Sequence, residues 1–150
     1  MIWHNTSNLG FPRSFSMFSI VRSSQPICSV IDMIPLYFSE GKAEGVRGDI
    51  AFAQSCLETG NFGFSGSAVM LDQNNFCGMG VTSNGMKENS FNTPQLGIRA
   101  QVQHLKAYAS TVDLKNECVD PRFKYVARGC AEYVEWLGQI LTRRKVHSIV

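Results

Sequence analysis

Glu58 is the carboxylate of this chain whose surroundings are best suited to chemistry. It ends the largely apolar segment 51–58, just before Gly60, which indicates a helix end and places Glu58 in the last turn. Burial against Phe62 or Phe64, the negative end of the helix dipole and a shortage of nearby cations would each favour the protonated carboxyl. A carboxylic acid kept neutral near pH 7 can protonate a glycosidic oxygen. On the local pattern alone, a solvated Glu near a helix end is the commoner arrangement, so both interpretations stay open.

The composition is that of one ordinary folded domain. The chain has 150 residues, of which 44% are hydrophobic and 17% charged, and this balance excludes a disordered chain. A formal net charge of +2 and an isoelectric point near 8.3 suit an anionic polymer but are too weak to indicate a nucleic-acid partner. No apolar run approaches the length of a membrane span, so no membrane-spanning segment is predicted.

Three regions differ in composition. Residues 1–26 are rich in Ser and Asn and predict an irregular N-terminal arm. They lack a charged start, a continuous apolar stretch and a small-residue cleavage site, so no signal peptide is predicted. Residues 27–141 carry the periodic patterns of a folded domain. Residues 142–150 form a basic tail whose three consecutive cations, 143–145, either stay solvated, which is commoner, or hold an anionic polymer.

The cysteines and histidines do not predict a metal site. The five cysteines are widely spaced, with no CxxC pair and no histidine at metal-ligand spacing, so zinc and other cofactors are not expected. Their odd number leaves at least one thiol unpaired, and we expect reduced, buried thiols. His104 lies on a helical segment without a second ligand nearby, and we expect a structural histidine with a satisfied hydrogen bond.

Two helices are predicted before Gly60. Ser29 can cap a first helix, and Pro35 within it should kink or split that helix. Asp49 is expected to cap a second helix over 50–59, with Glu58 at the edge of its buried stripe. The apolar contacts expected are Ile31, Ile34 and Phe38 in the first helix and Ile50, Ala53 and Leu57 in the second.

A hairpin and two more helices follow. Asn84 and Gly85 predict a tight turn between two short strands, with Glu88 on the returning strand. Thr93 and Pro94 should open a long helix that runs to about Ser110. Its expected buried stripe is Ile98, Val102, Leu105 and Ala109, and a last short helix is expected over 131–140. This order predicts a mainly α member of the α+β class with a small β-hairpin lobe.

Several segments in the same order resemble the glucosaminidase domain of bacterial and phage peptidoglycan hydrolases. This is the mannosyl-glycoprotein endo-β-N-acetylglucosaminidase-like family, glycoside hydrolase family 73. The similarity runs from about Ile27 to Leu137. It is carried by segments 44–54, 58–60, 73–76, 97–108 and 119–123.

The resemblance implies a lysozyme-like fold that acts as a monomer on peptidoglycan glycan strands. It implies cleavage of the β-1,4 bond that follows N-acetylglucosamine, with Glu58 as the general acid. A second catalytic carboxylate generally comes from the β lobe, where Glu88 is the acidic residue of the predicted hairpin. Glu88 could activate a water, the sugar's own N-acetyl oxygen could attack instead, or Glu88 could be a solvated strand residue.

Candidate substrate-binding residues lie on either side of residue 70. Asn74 and Asn75 could bind N-acetyl and hydroxyl groups, or could bond their own backbone in a turn. Phe62, Phe64 and Phe76 could stack on sugar rings, although such residues more often pack a core.

Three alternatives to the hydrolase remain from the sequence, and one of them is a structural phage or spore protein that uses the fold as a scaffold. A lytic transglycosylase would use the same fold and a single Glu but would leave an anhydro sugar. A non-catalytic wall-binding domain is the third, because the sequence after Gly138 departs from the family and predicts a truncated or rearranged C-terminal end. Family resemblance implies an extracellular or cell-wall location.

Overall fold

A computed structural model of the protein describes residues 30–65, 69–80 and 90–138. Within these residues the structure is mainly helical and has no strand. Helix α1 packs against both α2 and α3. The helices are α1 Val30–Glu44, α2 Gly48–Glu58 and α3 Pro94–Ala109, with 3₁₀ turns Leu71–Gln73 and Phe123–Tyr125 and a helical turn at 134–138.

Helix α1 is described from Val30, while its predicted cap, Ser29, lies outside the described residues, and a different face from the predicted one is buried. The residues turned to the core are Val30, Met33 and Tyr37, which follow helical spacing from the first residue. Of the predicted contacts, only Ile34 packs on the core. Ile31 and Phe38 are exposed, so that prediction was wrong by about one position, or 100° of rotation. Pro35 does not split the helix, which continues through it with Pro35 at the exposed side.

Helix α2 begins two residues earlier than predicted. Its N-cap is Arg47, and Asp49 lies in the first turn, where its carboxylate pairs with Arg47 instead of capping the helix. Gly48 packs against the Tyr37 backbone of α1, so closely that a Cβ at Gly48 would collide with the Tyr37 carbonyl. This glycine contact lets the two helices approach each other and sets which face of α2 is buried.

The buried face of α2 consists of Ala51, Phe52 and Ser55 rather than the predicted apolar stripe. In that stripe Ile50 is half-buried, Ala53 is exposed, and Leu57 is 79% exposed. The prediction was wrong because it followed apolar residues, whereas the core-facing side of α2 includes a buried serine. The buried polar side chain has a structural role described below.

Helix α3 was predicted correctly at both ends. The Thr93 hydroxyl accepts a hydrogen bond from the backbone N–H of Leu96, at 3.2 Å, and Ala109 is the last helical residue. The predicted apolar stripe is buried along its whole length. Gln101, Gln103 and Lys106 on other faces are buried as well, so α3 is the central helix of the domain.

A buried ion pair holds the loop after α3 against α1. Lys106 Nζ lies 2.9 Å from Glu44 Oε2 and also donates to the carbonyl of Asp113. The same carboxylate accepts hydrogen bonds from the backbone N–H groups of Lys115 and Asn116, both at 2.9 Å. Burial alone would raise the pKa of Glu44, but these hydrogen bonds outweigh burial and leave it below its usual value.

Several predictions lie outside the described residues. The arm at 1–26, the basic tail, most of the hairpin including Asn84 and Gly85, and Glu88 all belong to this group. The last helix was predicted over 131–140; its described part starts at 134, and residues 139 and 140 are not described.

Candidate active site

Glu58 is the last residue of α2, and its side chain is exposed. The sequence placed it correctly in the last helical turn, but the expected burial against aromatic rings is wrong. Phe62 turns into the core instead of covering the carboxyl group. Glu58 is therefore an accessible carboxylate at a helix end.

Thr59 fixes the backbone that carries Glu58. Its hydroxyl donates to the carbonyl of Ser55 at 2.6 Å and accepts the backbone N–H of Phe62 at 2.8 Å. The Thr59 carbonyl accepts a further hydrogen bond from the N–H of Phe64, also at 2.8 Å. Because Thr59 is buried, these bonds are shielded from water and tie the end of α2 to the chain that follows.

The chain directly after Glu58 adopts a left-handed backbone. Gly60, Asn61 and Phe62 have φ values of 59°, 58° and 60°, and Phe64 has 51°. An aromatic residue in this region is strained by roughly 1–2 kcal/mol, and such strain concentrates at functional sites. In the sequence, only Gly60 indicated a left-handed backbone here. Asn adopts this conformation less readily than Gly, and Phe rarely adopts it.

Phe62 and Phe76 are core residues, which corrects their assignment as sugar-stacking residues. They are 3% and 1% exposed, with ring centroids 5.9 Å apart, so neither ring has a free face. Phe52 stacks on Phe62 at 5.8 Å and meets Tyr37 edge-on at 5.4 Å. Phe64 is half-buried against this core and keeps part of its surface.

A buried chain of hydrogen bonds runs beneath the end of α2. The Tyr37 hydroxyl donates to Ser55 Oγ at 2.7 Å, and Ser55 Oγ lies 2.8 Å from Gln101 Oε1. Gln101 in turn donates to the Ala51 carbonyl and to Gln54, both at 2.9 Å. Burial raises the pKa of Tyr37, so its hydroxyl stays a donor. Three helices thus converge on Ser55, one turn before Glu58.

Asn74 and Asn75 differ in how far their side chains are accessible to a substrate. Asn75 is 1% exposed; its amide oxygen accepts the N–H of Met79 and its nitrogen donates to the same residue's carbonyl. The amide is used within its own turn, which corrects its assignment to substrate. Asn74 is half-buried in a left-handed conformation and donates to the Phe91 carbonyl at 2.8 Å. Asn74 remains a candidate.

The pKa of the Cys77 thiol is raised by its surroundings. Burial of its thiol raises the pKa of Cys77 to about 12, and the charges of Asp120 and, less strongly, Glu58 act in the same direction. Asp120 lies 2.8 Å from His104 Nδ1 through one oxygen and accepts the N–H of Arg122 at 2.7 Å through the other. His104 is therefore the hydrogen-bonded structural histidine that was expected.

Asp120 and Cys77 were not singled out from the sequence. The one signal for Asp120 was its place in the segment 119–123 that carries the family resemblance. Asp120 is buried, and both of its carboxylate oxygens have hydrogen-bond partners, in His104 and the backbone of Arg122. It therefore has a structural role.

The family model described as mannosyl-glycoprotein endo-beta-N-acetylglucosaminidase matches residues 34–145, well over half of the chain. The chain belongs to the glucosaminidase family. This is a family of glycoside hydrolases, and the mainly helical structure is consistent with its lysozyme-like domain.

One curated relative is similar to most of the chain. The chain is similar to an uncharacterised protein of Borreliella burgdorferi, with 44% identity over 119 residues. The alignment covers 76% of this chain but 58% of the relative, so the chain spans little more than half of that protein's length. No solved structure matches the chain.

In the described part of this glucosaminidase domain, Glu58 is accessible at a helix end that hydrogen bonds of Thr59 hold in place. Across residues 30–65, 69–80 and 90–138, no three His, Cys, Asp or Glu side chains gather as metal ligands do. No helix in those ranges is long and apolar enough to cross a membrane. The four cysteines described are free thiols, but the expected burial is wrong: Cys118 and Cys130 are exposed, and Cys56 and Cys77 are only partly buried.

Proposed function

We propose that this protein is a peptidoglycan hydrolase that cleaves the β-1,4 bond following N-acetylglucosamine, with Glu58 as the general acid. The observation that carries the proposal is an exposed Glu58 on a strained, hydrogen-bonded helix end in a chain of the glucosaminidase family. Exposure allows a glycan strand to reach the carboxyl oxygen. The rigid turn after it fixes the direction in which the proton is delivered.

In this mechanism, Glu58 protonates the glycosidic oxygen while the bond to the anomeric carbon breaks with oxocarbenium character. The electron pair of the bond leaves with the oxygen, and the proton from Glu58 makes that oxygen a hydroxyl. Attack on the opposite face comes from a water activated by Glu88 or from the N-acetyl oxygen of the sugar. Asn74 and Phe64, which are both half-buried, are our candidates for contact with the glycan.

Mass spectrometry of fragments released from purified peptidoglycan tests the proposal. Wild type should release fragments with reducing N-acetylglucosamine ends. Glu58→Gln should release none, because a side-chain amide is not acidic enough to protonate the glycosidic oxygen. Glu132→Gln is the matched control, since it removes one negative charge from another exposed glutamate. It should retain wild-type activity.

Other products would replace the proposal with a defined alternative. Anhydro-muramyl ends would make the protein a lytic transglycosylase. Binding of intact wall without fragments from any variant would make it a non-catalytic wall-binding domain. Loss of activity in Glu58→Gln but not in Glu88→Gln would favour attack by the N-acetyl oxygen. An extracellular or cell-wall site of action is part of the proposal, because its substrate lies there.

A further inference from the structure

Two cations and an aromatic ring form an exposed patch around the 3₁₀ turn Phe123–Tyr125. Tyr125 is 62% exposed. The Arg122 guanidinium lies over its ring at 5.2 Å from the centroid, and the Lys124 ammonium at 5.0 Å. Both distances are within the range of cation–π attraction, so the ring holds the two charges in place. Arg122, Lys124 and Tyr125 are called the basic patch below.

The positive charge of the basic patch is not neutralised within the described structure. Arg122 and Lys124 are exposed, and neither pairs with a carboxylate among residues 30–65, 69–80 and 90–138. The sequence from 121 to 131 contains no acidic residue. Arg128 nearby is used differently, because it donates to the Val112 carbonyl at 2.7 Å. An anion at the patch would relieve the repulsion between two like charges held over one ring.

The basic patch is anchored to helix α3 through Asp120. The backbone N–H of Arg122 donates to Asp120 Oδ1, and His104 holds the other oxygen of Asp120. The patch therefore begins two residues from a buried, hydrogen-bonded carboxylate.

We propose that the basic patch binds the carboxylates of the peptide stems carried by the glycan strand, and so makes the domain prefer peptide-bearing strands to bare ones. This inference rests on the proposed function. A chain of N-acetylglucosamine alone is neutral, so it offers nothing to two cations. Peptide stems carry carboxylates at regular intervals along the strand. The Arg122 guanidinium can donate two N–H groups to one carboxylate, and Lys124 adds a second positive charge beside it.

Binding measured in the Glu58→Gln background separates this inference from catalysis. The probes are peptidoglycan with and without its secondary wall polymers, and chitin, which is a neutral bare strand of β-1,4-linked N-acetylglucosamine. Sedimentation should show that Glu58→Gln protein binds the peptide-bearing material more tightly. Arg122→Ala with Lys124→Ala should lower that affinity about ten-fold, to the level of the bare strands. Raising the salt concentration should have the same effect.

Lys42→Ala with Lys115→Ala is the matched control. Both side chains are exposed, and the double change removes the same charge from other places. It should leave the preference intact. Tyr125→Leu keeps both cations but removes the ring that holds them, and should lower the affinity by a smaller factor. Far-UV circular dichroism of each variant verifies folding.

Three results would overturn the inference. Equal binding of peptide-bearing and bare strands would show that the stems are not recognised. An equal loss in the patch variant and the control would reduce the effect to net charge. Preference only for wall that retains its anionic polymers would assign the patch to those polymers. Wild type that binds with the expected preference but cleaves nothing would refute the proposed function alone.

Discussion

Thr59 links the proposed catalytic residue to the fold through two side-chain hydrogen bonds. Thr59→Val removes both while keeping the shape of the side chain, and leaves the buried N–H of Phe62 without its acceptor. We expect a loss of stability of about 1–3 kcal/mol and a fall in kcat of roughly ten- to a hundred-fold. Urea unfolding and fragment release would measure the two effects.

Thr59→Ser is the control at the same position. It retains the hydroxyl and should keep most of the activity. If Thr59→Val lost stability but retained full kcat, the hydroxyl would have no part in positioning Glu58.

Single residues show where the sequence was sufficient and where it was not. Glu58 was found because a glycine after an apolar segment marks a helix end, which is local information. The burial of Phe62 against Phe76 depends on the left-handed turn that carries Phe62. That turn could not be predicted from the residue types in it. The engagement of Asn75 with Met79 and of Asp120 with His104 also depends on the fold, so neither could be read from spacing.

At the scale of elements, the buried pair between Lys106 and Glu44 holds α3, α1 and the following loop together. Lys106→Met leaves a buried carboxylate without its cation and should destabilise the protein by about 3–5 kcal/mol. Adding Glu44→Gln should recover part of that loss, because no unpaired charge remains. Lys42→Met on the exposed side of α1 should change stability by less than about 0.5 kcal/mol. Urea unfolding measures all three, and equal stability of wild type and Lys106→Met would contradict this account.

Close packing of α3 on the loop at Asn74 depends on Gly97. A Cβ at Gly97 would collide with the Asn74 carbonyl oxygen, which is backbone and cannot rotate away. Gly97→Ala should therefore cost about 1–3 kcal/mol in thermal or urea unfolding. Gly138→Ala, where an added Cβ meets nothing within 4 Å, is the control and should not destabilise. Comparable losses in both variants would point to a general effect of alanine.

The sequence predicted the helices better than their orientations. Thr93, Pro94 and the regular apolar stripe determine α3 locally, and both ends and the buried face were correct. In α1 and α2 the buried face is set by the contact of Gly48 with the Tyr37 backbone. That contact joins residues distant in sequence, so periodicity within either helix could not reveal it.

At the scale of the whole molecule, carboxylate pairing should make the protein sensitive to acid. Arg47 lowers the pKa of Asp49. Burial opposes a lowered pKa at Glu40 and Glu44, but hydrogen bonds from Arg99 and Lys106 outweigh it. A carboxyl group whose pKa is lower in the folded protein stabilises the fold at pH values above its unfolded pKa, which is 4.5 for Glu and 3.8 for Asp. That stabilisation is lost as the pH falls through the pKa of the folded state.

Urea unfolding between pH 7 and pH 2.5 should therefore show a free energy of unfolding that decreases below about pH 4.5. Glu40→Gln should be less stable at pH 7 and should show a shallower decrease. A wild-type curve that stayed flat across this range would contradict the assigned ion pairs.

Cys77 can report on ligand binding, because its thiol is partly accessible and its pKa is raised. A thiol with a pKa of about 12 is almost entirely protonated near neutral pH, so alkylating reagents reach and consume it slowly. Cys118 and Cys130 are exposed and should be modified first. Cys77 should therefore be modified later than these two thiols, and a glycan whose binding covers Cys77 should slow its modification further.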